Sequence, residues 1–223
     1  MKLSRYQFNE ELNNPNKRKI TLVFIGMSSS GKTHWANLLS KKYDFNHIEI
    51  DRLIGHSAEF INLIKDISGE DESERIGKYF GKPWDKDFKS KENKYLSIEA
   101  EAMSKEFPSG AILDFTGSSV YHPEQMEKIA QNCLVVYLET NNHAHKQLLK
   151  IYLNNPKPVC WNGIYVKKNG ESNEAALARC YPLLLKYREE LYEKYADVKV
   201  PFDAHKSLEN PEQLIEEIKK SLA

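Results

Sequence analysis

The stretch "ITLVFIGMSSSGKTHWANLL", from Ile20 to Leu39, decides the fold of this chain. Its apolar, β-forming start ends at Gly26, and a helix-compatible pattern follows Lys32. Residues 26–33 read "GMSSSGKT" and satisfy the pattern G-x-x-x-x-G-K-[ST]. In that pattern the glycines let successive backbone N–H groups curl towards phosphate oxygens at the start of a helix. We therefore predict a P-loop that binds a nucleotide.

The P-loop predicts two cofactors, ATP and Mg²⁺. Lys32 is expected to neutralise charge on the β- and γ-phosphates, and the Thr33 hydroxyl is expected to hold Mg²⁺. The predicted nucleotide-binding residues of the loop are Gly26, Ser28, Ser29, Ser30, Gly31, Lys32 and Thr33.

The composition of the 223 residues is that of a globular protein, with 40% hydrophobic and 29% charged residues. Lys plus Arg equals Asp plus Glu at 32 each, so the net charge favours neither a nucleic acid nor a membrane surface as a partner. The 3 cysteines lie far apart, which favours a reducing compartment. Because no secretory signal or membrane span is recognisable, we expect a cytoplasmic protein, and we leave its oligomeric state open.

Short apolar runs alternate with helical patterns along the chain. The predicted strands are Ile20–Ile25, His47–Ile50, Ala111–Phe115, Cys133–Leu138 and Val198–Val200. The predicted helices are Lys32–Lys42, Asp51–Ile67, Lys86–Phe107, Pro123–Gln131, Asn142–Leu153, Asn173–Tyr195, with a bend or restart at Pro182, and Pro211–Leu222. This alternation predicts the α/β class, with a five-stranded parallel sheet and helices on both faces, and the P-loop makes it a three-layer P-loop fold.

The chain is predicted to hold one domain. Residues 1–19 are expected to be an N-terminal polar arm, and residues 20–223 a single P-loop kinase domain. Within it we expect a substrate-binding helical segment at 52–107 and a lid at 154–180. The stretch Ser68–Phe88 is rich in charge and glycine, which predicts a loop.

A GTPase is the first alternative, because Asp114 and Gly117 fit the D-x-x-G pattern after a strand. Guanine recognition also needs N-K-x-D, and neither Asn-Lys pair of this chain continues that way. A small-molecule kinase fits better, because Glu49 and Asp51 fall at the carboxyl end of the second strand, where open α/β sheets bind ligands. An acid there can accept the proton of an attacking hydroxyl. Asp114 ends the third strand and is either a metal-side acid or a polar strand end.

An ordered set of motifs resembles the shikimate kinase family. The set comprises the P-loop, "IEIDRLI", "TGSSV", "VVYLET", "PKP" and "YREELYEKYADV", and it spans about residues 20–201. The resemblance implies that Asp51 contacts the substrate hydroxyls and serves as the base, and that Glu49 is the acid beside Mg²⁺. It also implies that Arg188 grips the carboxylate of the substrate and that Gly117 belongs to the floor of its site.

The resemblance implies two further cations. Lys157 takes the position of the lid arginine that closes on the transferring phosphate, and Lys150 takes that of the arginine lying against adenine. Phosphoryl transfer must exclude water, so cations on a lid are expected over the γ-phosphate. Arg179, on the helix that returns from the lid, is a second catalytic candidate on that ground.

Two departures affect the acceptor site. The second carboxylate-binding arginine of the family is replaced by Lys89, which lacks the planar fork of a guanidinium. Of three glycines after the third strand only Gly117 remains, between Thr116 and Ser118. The sequence therefore predicts transfer of the ATP γ-phosphate to a small, hydroxylated, anionic acceptor, with shikimate as one candidate. The alternatives are a nucleoside or nucleotide kinase and a non-catalytic ATP-binding module.

Overall fold

The computed structural model describes residues 3–154 and 159–222. Its strands are β1 (Leu22–Ile25), β2 (Asn46–Glu49), β3 (Ala111–Asp114), β4 (Leu134–Leu138) and β5 (Val198–Val200). They form one all-parallel sheet in the order β2-β3-β1-β4-β5. The predicted α/β fold with a five-stranded parallel sheet is confirmed.

Helices cover both faces of this sheet. In the part of the chain that the structure describes they are α1 (Arg5–Asn13), α2 (Lys32–Tyr43), α3 (Ile50–Gly55), α4 (Ala58–Ile64), α5 (Glu72–Phe80), α6 (Phe88–Met103), α7 (Pro123–Asn132), α8 (Asn142–Asn154), α9 (Asn173–Tyr195), α10 (Phe202–Ser207) and α11 (Pro211–Lys220). Short 3₁₀ turns lie at Pro15–Lys17 and Ser119–Tyr121. None of these helices has the combined length and apolarity that crossing a membrane requires.

Alternation along the strands divides the core into two halves. Val23 and Ile25 point to the face covered by α3 to α9, and Leu22 and Phe24 point to the face covered by α1, α2 and α11. All four side chains are completely buried. A parallel sheet covered on both faces requires such continuous apolar strands, which is why the sequence predicted them.

The N-terminal segment, expected to be a polar arm, contains a docked helix. Ser4 caps α1 in a capping box with Gln7. Phe8 and Leu12, one helical turn apart, are buried in the core half that contains α2 and α11. Arg18 donates hydrogen bonds to the carbonyls of Leu12 and Tyr43 and so joins the end of this segment to α2. The segment is therefore part of the core and not a lead-in.

Three other local expectations need correction. The helix expected over Asp51–Ile67 is divided into α3 and α4, because the Ser57 hydroxyl accepts from the Phe60 N–H and starts a new helix. The expected loop Ser68–Phe88 contains α5, capped by the Asp71 side chain. Of the bend or restart expected at Pro182, the restart does not occur, because α9 continues from Asn173 to Tyr195 with Pro182 inside it.

Candidate active site

The P-loop joins β1 to α2 with backbone conformations that explain its sequence. Gly26 and Gly31 have φ angles of 144° and 104°, in the region that favours glycine, and Ser29 has φ 64°. A Cβ atom at Gly26 would lie 2.6 Å from the carbonyl oxygen of Leu138, so only glycine fits there. Ser28 and Ser29 border a cavity. Buried Ser30 has a hydroxyl with no hydrogen-bond partner among the described residues.

Lys32 is buried within the curl of this loop. Its Nζ donates to the carbonyl oxygens of Gly26 at 3.1 Å and Met27 at 2.9 Å. Burial lowers the pKa of Lys32, and the carboxylates of Asp114 and Asp51 oppose that shift. The two carboxylates favour the charged form of this buried amine, and a desolvated ammonium is a suitable partner for phosphate oxygens.

Thr33 and Asp114 meet at the carboxyl end of the sheet. The Thr33 hydroxyl, in the first turn of α2, donates to Asp114 Oδ2 at 2.5 Å. Asp114 is also paired in register with Glu49 on the neighbouring strand. Burial raises the pKa of Asp114, while the Thr33 hydrogen bond and the Lys32 charge oppose the rise. The structure therefore brings together the three predicted metal-side residues.

The oxygen donors of Thr33, Asp114 and Glu49 fit Mg²⁺ better than they fit a metal ion that is coordinated by protein side chains alone. The described residues contain no cluster of three or more His, Cys, Asp or Glu side chains that could hold an ion. Mg²⁺ is usually bound through one or two carboxylates, with waters and substrate phosphates as its other ligands. Thr33, Asp114 and Glu49 beside the P-loop match that description.

Asp51 lies in the first turn of α3 and lines the same cavity as Ser28 and Ser29. The Asp51 side chain is exposed to water. The protein around it still removes part of the hydration of its carboxylate, and this desolvation raises its pKa to about 6. Lys32 opposes this rise, and the carboxylates of Glu99 and Asp114 add to it. A carboxylate with a pKa near neutrality is suited to accept a proton.

The cavity has a volume of about 460 Å³ and lies between α3–α6 on one side and α8–α9 on the other. Its described lining residues are Met27, Ser28, Ser29, Asp51, Ile54, Phe60, Ile76, Phe80, Tyr95, Thr116, Gly117, Ser118, Leu148, Ile151, Tyr152, Val159, Cys160, Tyr181, Leu185 and Arg188. A cavity of this size suits a small-molecule ligand.

A buried polar network supports the floor of this cavity. Glu99, completely buried on α6, accepts hydrogen bonds at Oε1 from the hydroxyls of Thr116 at 2.5 Å and Ser118 at 2.7 Å. Its other oxygen lies 2.7 Å from Nε2 of buried His122. Gly117 lies between the two hydroxyl residues and also lines the cavity. Glu99 therefore fixes the conformation of the segment after β3.

Arg188, on α9, lines the cavity and is buried. Its Nε donates to the Tyr121 hydroxyl at 2.7 Å, and its Nη2 donates to the Cys160 carbonyl at 2.9 Å. A Cβ atom at Gly117 would lie 3.2 Å from Arg188 Nη1, so glycine leaves room for the guanidinium.

Three predicted site residues lie away from this cavity. Lys89 and Lys150 are exposed on α6 and α8 and are not among the described lining residues. Arg179 is held by Glu171 through Nε and Nη2, at 2.9 and 2.7 Å, and also donates to the Val166 carbonyl. The roles given to Lys89, Lys150 and Arg179 find no support in this arrangement. Lys157 lies outside the described residues.

Glu99 and His122 are residues of the site that the sequence analysis missed. Glu99 stands on a helix among other acidic residues, and its partners lie 17 to 23 positions further along the chain. A carboxylate in such a position has the sequence pattern of a solvated helix face. The sequence signal for a buried residue such as Glu99 was the "TGSSV" motif, whose hydroxyls need a hydrogen-bond acceptor when they are buried.

The family model of shikimate kinase matches residues 28–223. The chain belongs to the shikimate kinase family. By that membership it is a P-loop kinase that phosphorylates a small molecule. A search of curated proteins found no match.

Solved shikimate kinases share the fold. The enzyme from Aquifex aeolicus is 18% identical, with a TM-score of 0.52 over 91% of this chain and 95% of that chain. The enzyme from Bacteroides thetaiotaomicron is 13% identical, with a TM-score of 0.52 over 90% and 95%. That from Acinetobacter baumannii in complex with shikimate is 19% identical, with a TM-score of 0.49 over 89% and 90%. At these identities, the likeness to the two structures with a TM-score of 0.52 shows the fold alone.

Proposed function

We propose that this shikimate kinase-like protein transfers the γ-phosphate of Mg·ATP to a hydroxyl group of a small molecule. The observation that supports the proposal is that the P-loop and Asp51 border one cavity, so a phosphate held by the loop and a hydroxyl beside the carboxylate would meet there. Asp51 accepts the proton of the acceptor hydroxyl as that oxygen receives the phosphoryl group. Its raised pKa, about 6, keeps it mostly ionised at neutral pH while increasing its basicity.

The nucleotide and metal are assigned to the residues around Lys32. Lys32 and the N–H groups of the loop bind the phosphates, and Thr33, Asp114 and Glu49 would hold Mg²⁺ directly or through water. When bound, Mg²⁺ supplies charge neutralisation at the phosphate oxygens. Arg188, which lines the same cavity, positions the acceptor. A lid at 154–180 remains part of this proposal, with Lys157 as its cation.

The test is ADP release by the purified chain in Mg·ATP, with and without a saturating hydroxylated acceptor, beginning with shikimate. Lys32→Ala should lose nucleotide affinity and turnover, whereas Asp51→Asn should keep ATP binding and lose transfer. Full activity of Asp51→Asn would remove the carboxylate from the mechanism. Stimulation by nucleosides alone would indicate a nucleoside kinase. ATP binding without stimulation by any acceptor would indicate a binding module.

A further inference from the structure

The guanidinium of Arg188 is held by oxygen atoms from two other parts of the chain. Its Nε donates to the Tyr121 hydroxyl at 2.7 Å, and its Nη2 donates to the Cys160 carbonyl at 2.9 Å. The guanidinium is planar and its donors have a fixed geometry. Bonds from two of its nitrogens therefore fix the orientation of its plane, and the direction of the third nitrogen, Nη1, follows from them.

The Tyr121 hydroxyl joins the two oxygen partners of Arg188. Its oxygen accepts from Nε, and its proton is donated to the Cys160 carbonyl in a long hydrogen bond of 3.5 Å. A carbonyl oxygen has two lone pairs, so it can accept from the hydroxyl and from Arg188 at once. Burial raises the pKa of Tyr121, which keeps the phenol protonated at neutral pH. Tyr121, Cys160 and Arg188 thus form a closed triangle of hydrogen bonds.

The ring of Tyr121 is held in place by Tyr187, the residue before Arg188 on α9. The two tyrosine rings stack with their centroids 6.0 Å apart and an angle of 21° between their planes. The Cζ atom of Arg188 lies 5.2 Å from the centroid of the Tyr121 ring. Arg188 donates to the Tyr121 hydroxyl and not to the Tyr187 hydroxyl. The two tyrosines therefore share the stack and differ in what their hydroxyls do.

The Cys160 carbonyl is a fixed point because the residues after it are anchored to α6. Glu92, a buried residue of that helix, accepts hydrogen bonds from the backbone N–H groups of Trp161 and Asn162, the latter at 3.0 Å. A carboxylate that accepts from two successive N–H groups holds the backbone there in one conformation. Both oxygen partners of Arg188 are thus held by contacts outside α9.

The orientation of the guanidinium places Nη1 at the floor of the cavity. A Cβ atom at Gly117 would lie 3.2 Å from Nη1 and 3.7 Å from the backbone nitrogen of Ser28 in the P-loop. Gly117, Ser28 and Arg188 all line the cavity. The N–H donors of Nη1 therefore lie near the P-loop, where a charged hydrogen bond can hold an anionic group of a bound molecule.

We infer that Tyr121 is a positioning residue for the acceptor. Its hydroxyl, together with the Cys160 carbonyl, directs Nη1 of Arg188 to the floor beside Gly117, where Nη1 holds an anionic group of the acceptor. Tyr121 is not among the described lining residues, so it acts through Arg188 and not on the acceptor itself. This inference rests on the proposed function for the role of Arg188.

A pair of matched variants tests the role of the hydroxyl. Tyr121→Phe keeps the stacked ring and should raise KM for shikimate about tenfold, as expected for the loss of a hydrogen bond to a charged group. The value of kcat should stay within about twofold, and KM for ATP should not change, because the transfer residues are untouched. Tyr187→Phe removes the other hydroxyl of the same stack and should leave all these values within about twofold of wild type.

An uncharged probe separates the direction of Arg188 from a general change in the cavity. The methyl ester of shikimate keeps the ring hydroxyls and lacks the negative charge. Titration calorimetry in the presence of ADP measures Kd for both compounds without turnover. Tyr121→Phe should weaken binding of shikimate about tenfold and binding of the ester less than about threefold, because only the anion needs a directed guanidinium.

The outcomes separate this inference from the proposed function. Equal weakening of shikimate and its ester by Tyr121→Phe would overturn the inference, as would equal effects of Tyr121→Phe and Tyr187→Phe. A wild-type protein that does not bind shikimate more tightly than the ester would also overturn it, while ADP release with another acceptor would keep the kinase function. Binding that prefers the anion and loses that preference in Tyr121→Phe, without any ADP release, would support the inference and overturn the transfer reaction.

Discussion

The hydroxyl of Thr33 donates a hydrogen bond to Asp114 across 2.5 Å, joining the first turn of α2 to the end of β3. This contact connects the P-loop helix to the strand next to β1 in the sheet. It holds a buried carboxylate, whose pKa is raised by burial, beside the loop where phosphates are expected. A bound Mg²⁺ would replace lost hydration of that carboxylate, so metal and hydroxyl stabilise the same ionised group.

The first prediction concerns the dependence of activity on Mg²⁺. Thr33→Ala should raise the Mg²⁺ concentration for half-maximal activity roughly 10- to 100-fold, because the metal loses a ligand and Asp114 loses the hydroxyl that orients it. Thr33→Ser keeps the hydroxyl and should stay near the wild-type value. The check is ADP release titrated with Mg²⁺ at fixed ATP. Equal Mg²⁺ requirements in the alanine and serine variants would contradict the assignment.

The second prediction is a pH profile set by Asp51. With its pKa raised to about 6, the carboxylate is protonated below that pH and cannot accept the hydroxyl proton. The value of kcat/KM for the acceptor should therefore fall about tenfold per pH unit below 6 and level off above it. In Asp51→Asn the residual activity should show no such limb. A wild-type profile without a limb near pH 6 would assign the proton to another acceptor.

The third prediction is that Asp51→Asn stabilises the fold at high pH. A carboxylate with a folded-state pKa above its unfolded value of about 3.8 favours folding when protonated and opposes it when ionised. The stabilising protonated form is present at low pH and is lost as pH rises through about 6. Asp51→Asn removes the cost of the ionised form, so its Tm should exceed that of wild type at pH 8 by more than at pH 5. An unchanged difference between the two pH values would count against a desolvated carboxylate.

The sheet and the P-loop could be predicted from the sequence because their signals are local. Uninterrupted apolar runs predict buried parallel strands, and the spacing of Gly26, Gly31 and Lys32 predicts the loop whatever lies around it. The helix α1 has only Phe8 and Leu12 as its buried face, so its apolar signal is weak. The capping box formed by Ser4 and Gln7 was the sequence feature that could have predicted this helix.

The acceptor site could be predicted only in part, because long-range contacts decide it. Asp51 and Arg188 were found from motifs, whereas the burial of Glu99 depends on partners brought close by the sheet. Nor could the sequence indicate that Arg179 is held by Glu171, since that depends on the path of the chain before α9. Arg179 and Arg188 carry the same charge, and packing decides which of them reaches the cavity. Sequence spacing does not determine that packing.

The fourth prediction tests whether α1 belongs to the core. Phe8 is completely buried, so Phe8→Ala should lower the free energy of unfolding by about 3–5 kcal/mol. Tyr6 on the same helix is 73% exposed, and Tyr6→Ala should change stability by less than about 0.5 kcal/mol. Urea unfolding of the three proteins measures both values. Equal, small effects would indicate that α1 is not docked.

The last prediction concerns the network under the cavity floor. Glu99→Ala removes the acceptor of Thr116 and Ser118 and the partner of His122, leaving buried polar groups unpaired, and should cost about 3–5 kcal/mol of stability. Glu193→Ala breaks an exposed pair with Lys199 and should cost less than about 1 kcal/mol.

A second variant of the network separates positioning from stability. Glu99→Gln keeps one oxygen but places an N–H donor on its other side, so either His122 changes tautomer to accept at Nε2 or the amide turns round and a hydroxyl of the floor loses its acceptor. Because Glu99 acts through Thr116 and Ser118, this variant should raise KM for the acceptor more than it lowers kcat, with KM for ATP unchanged. Equal changes in both KM values would mean that Glu99 supports the whole domain and does not position the acceptor.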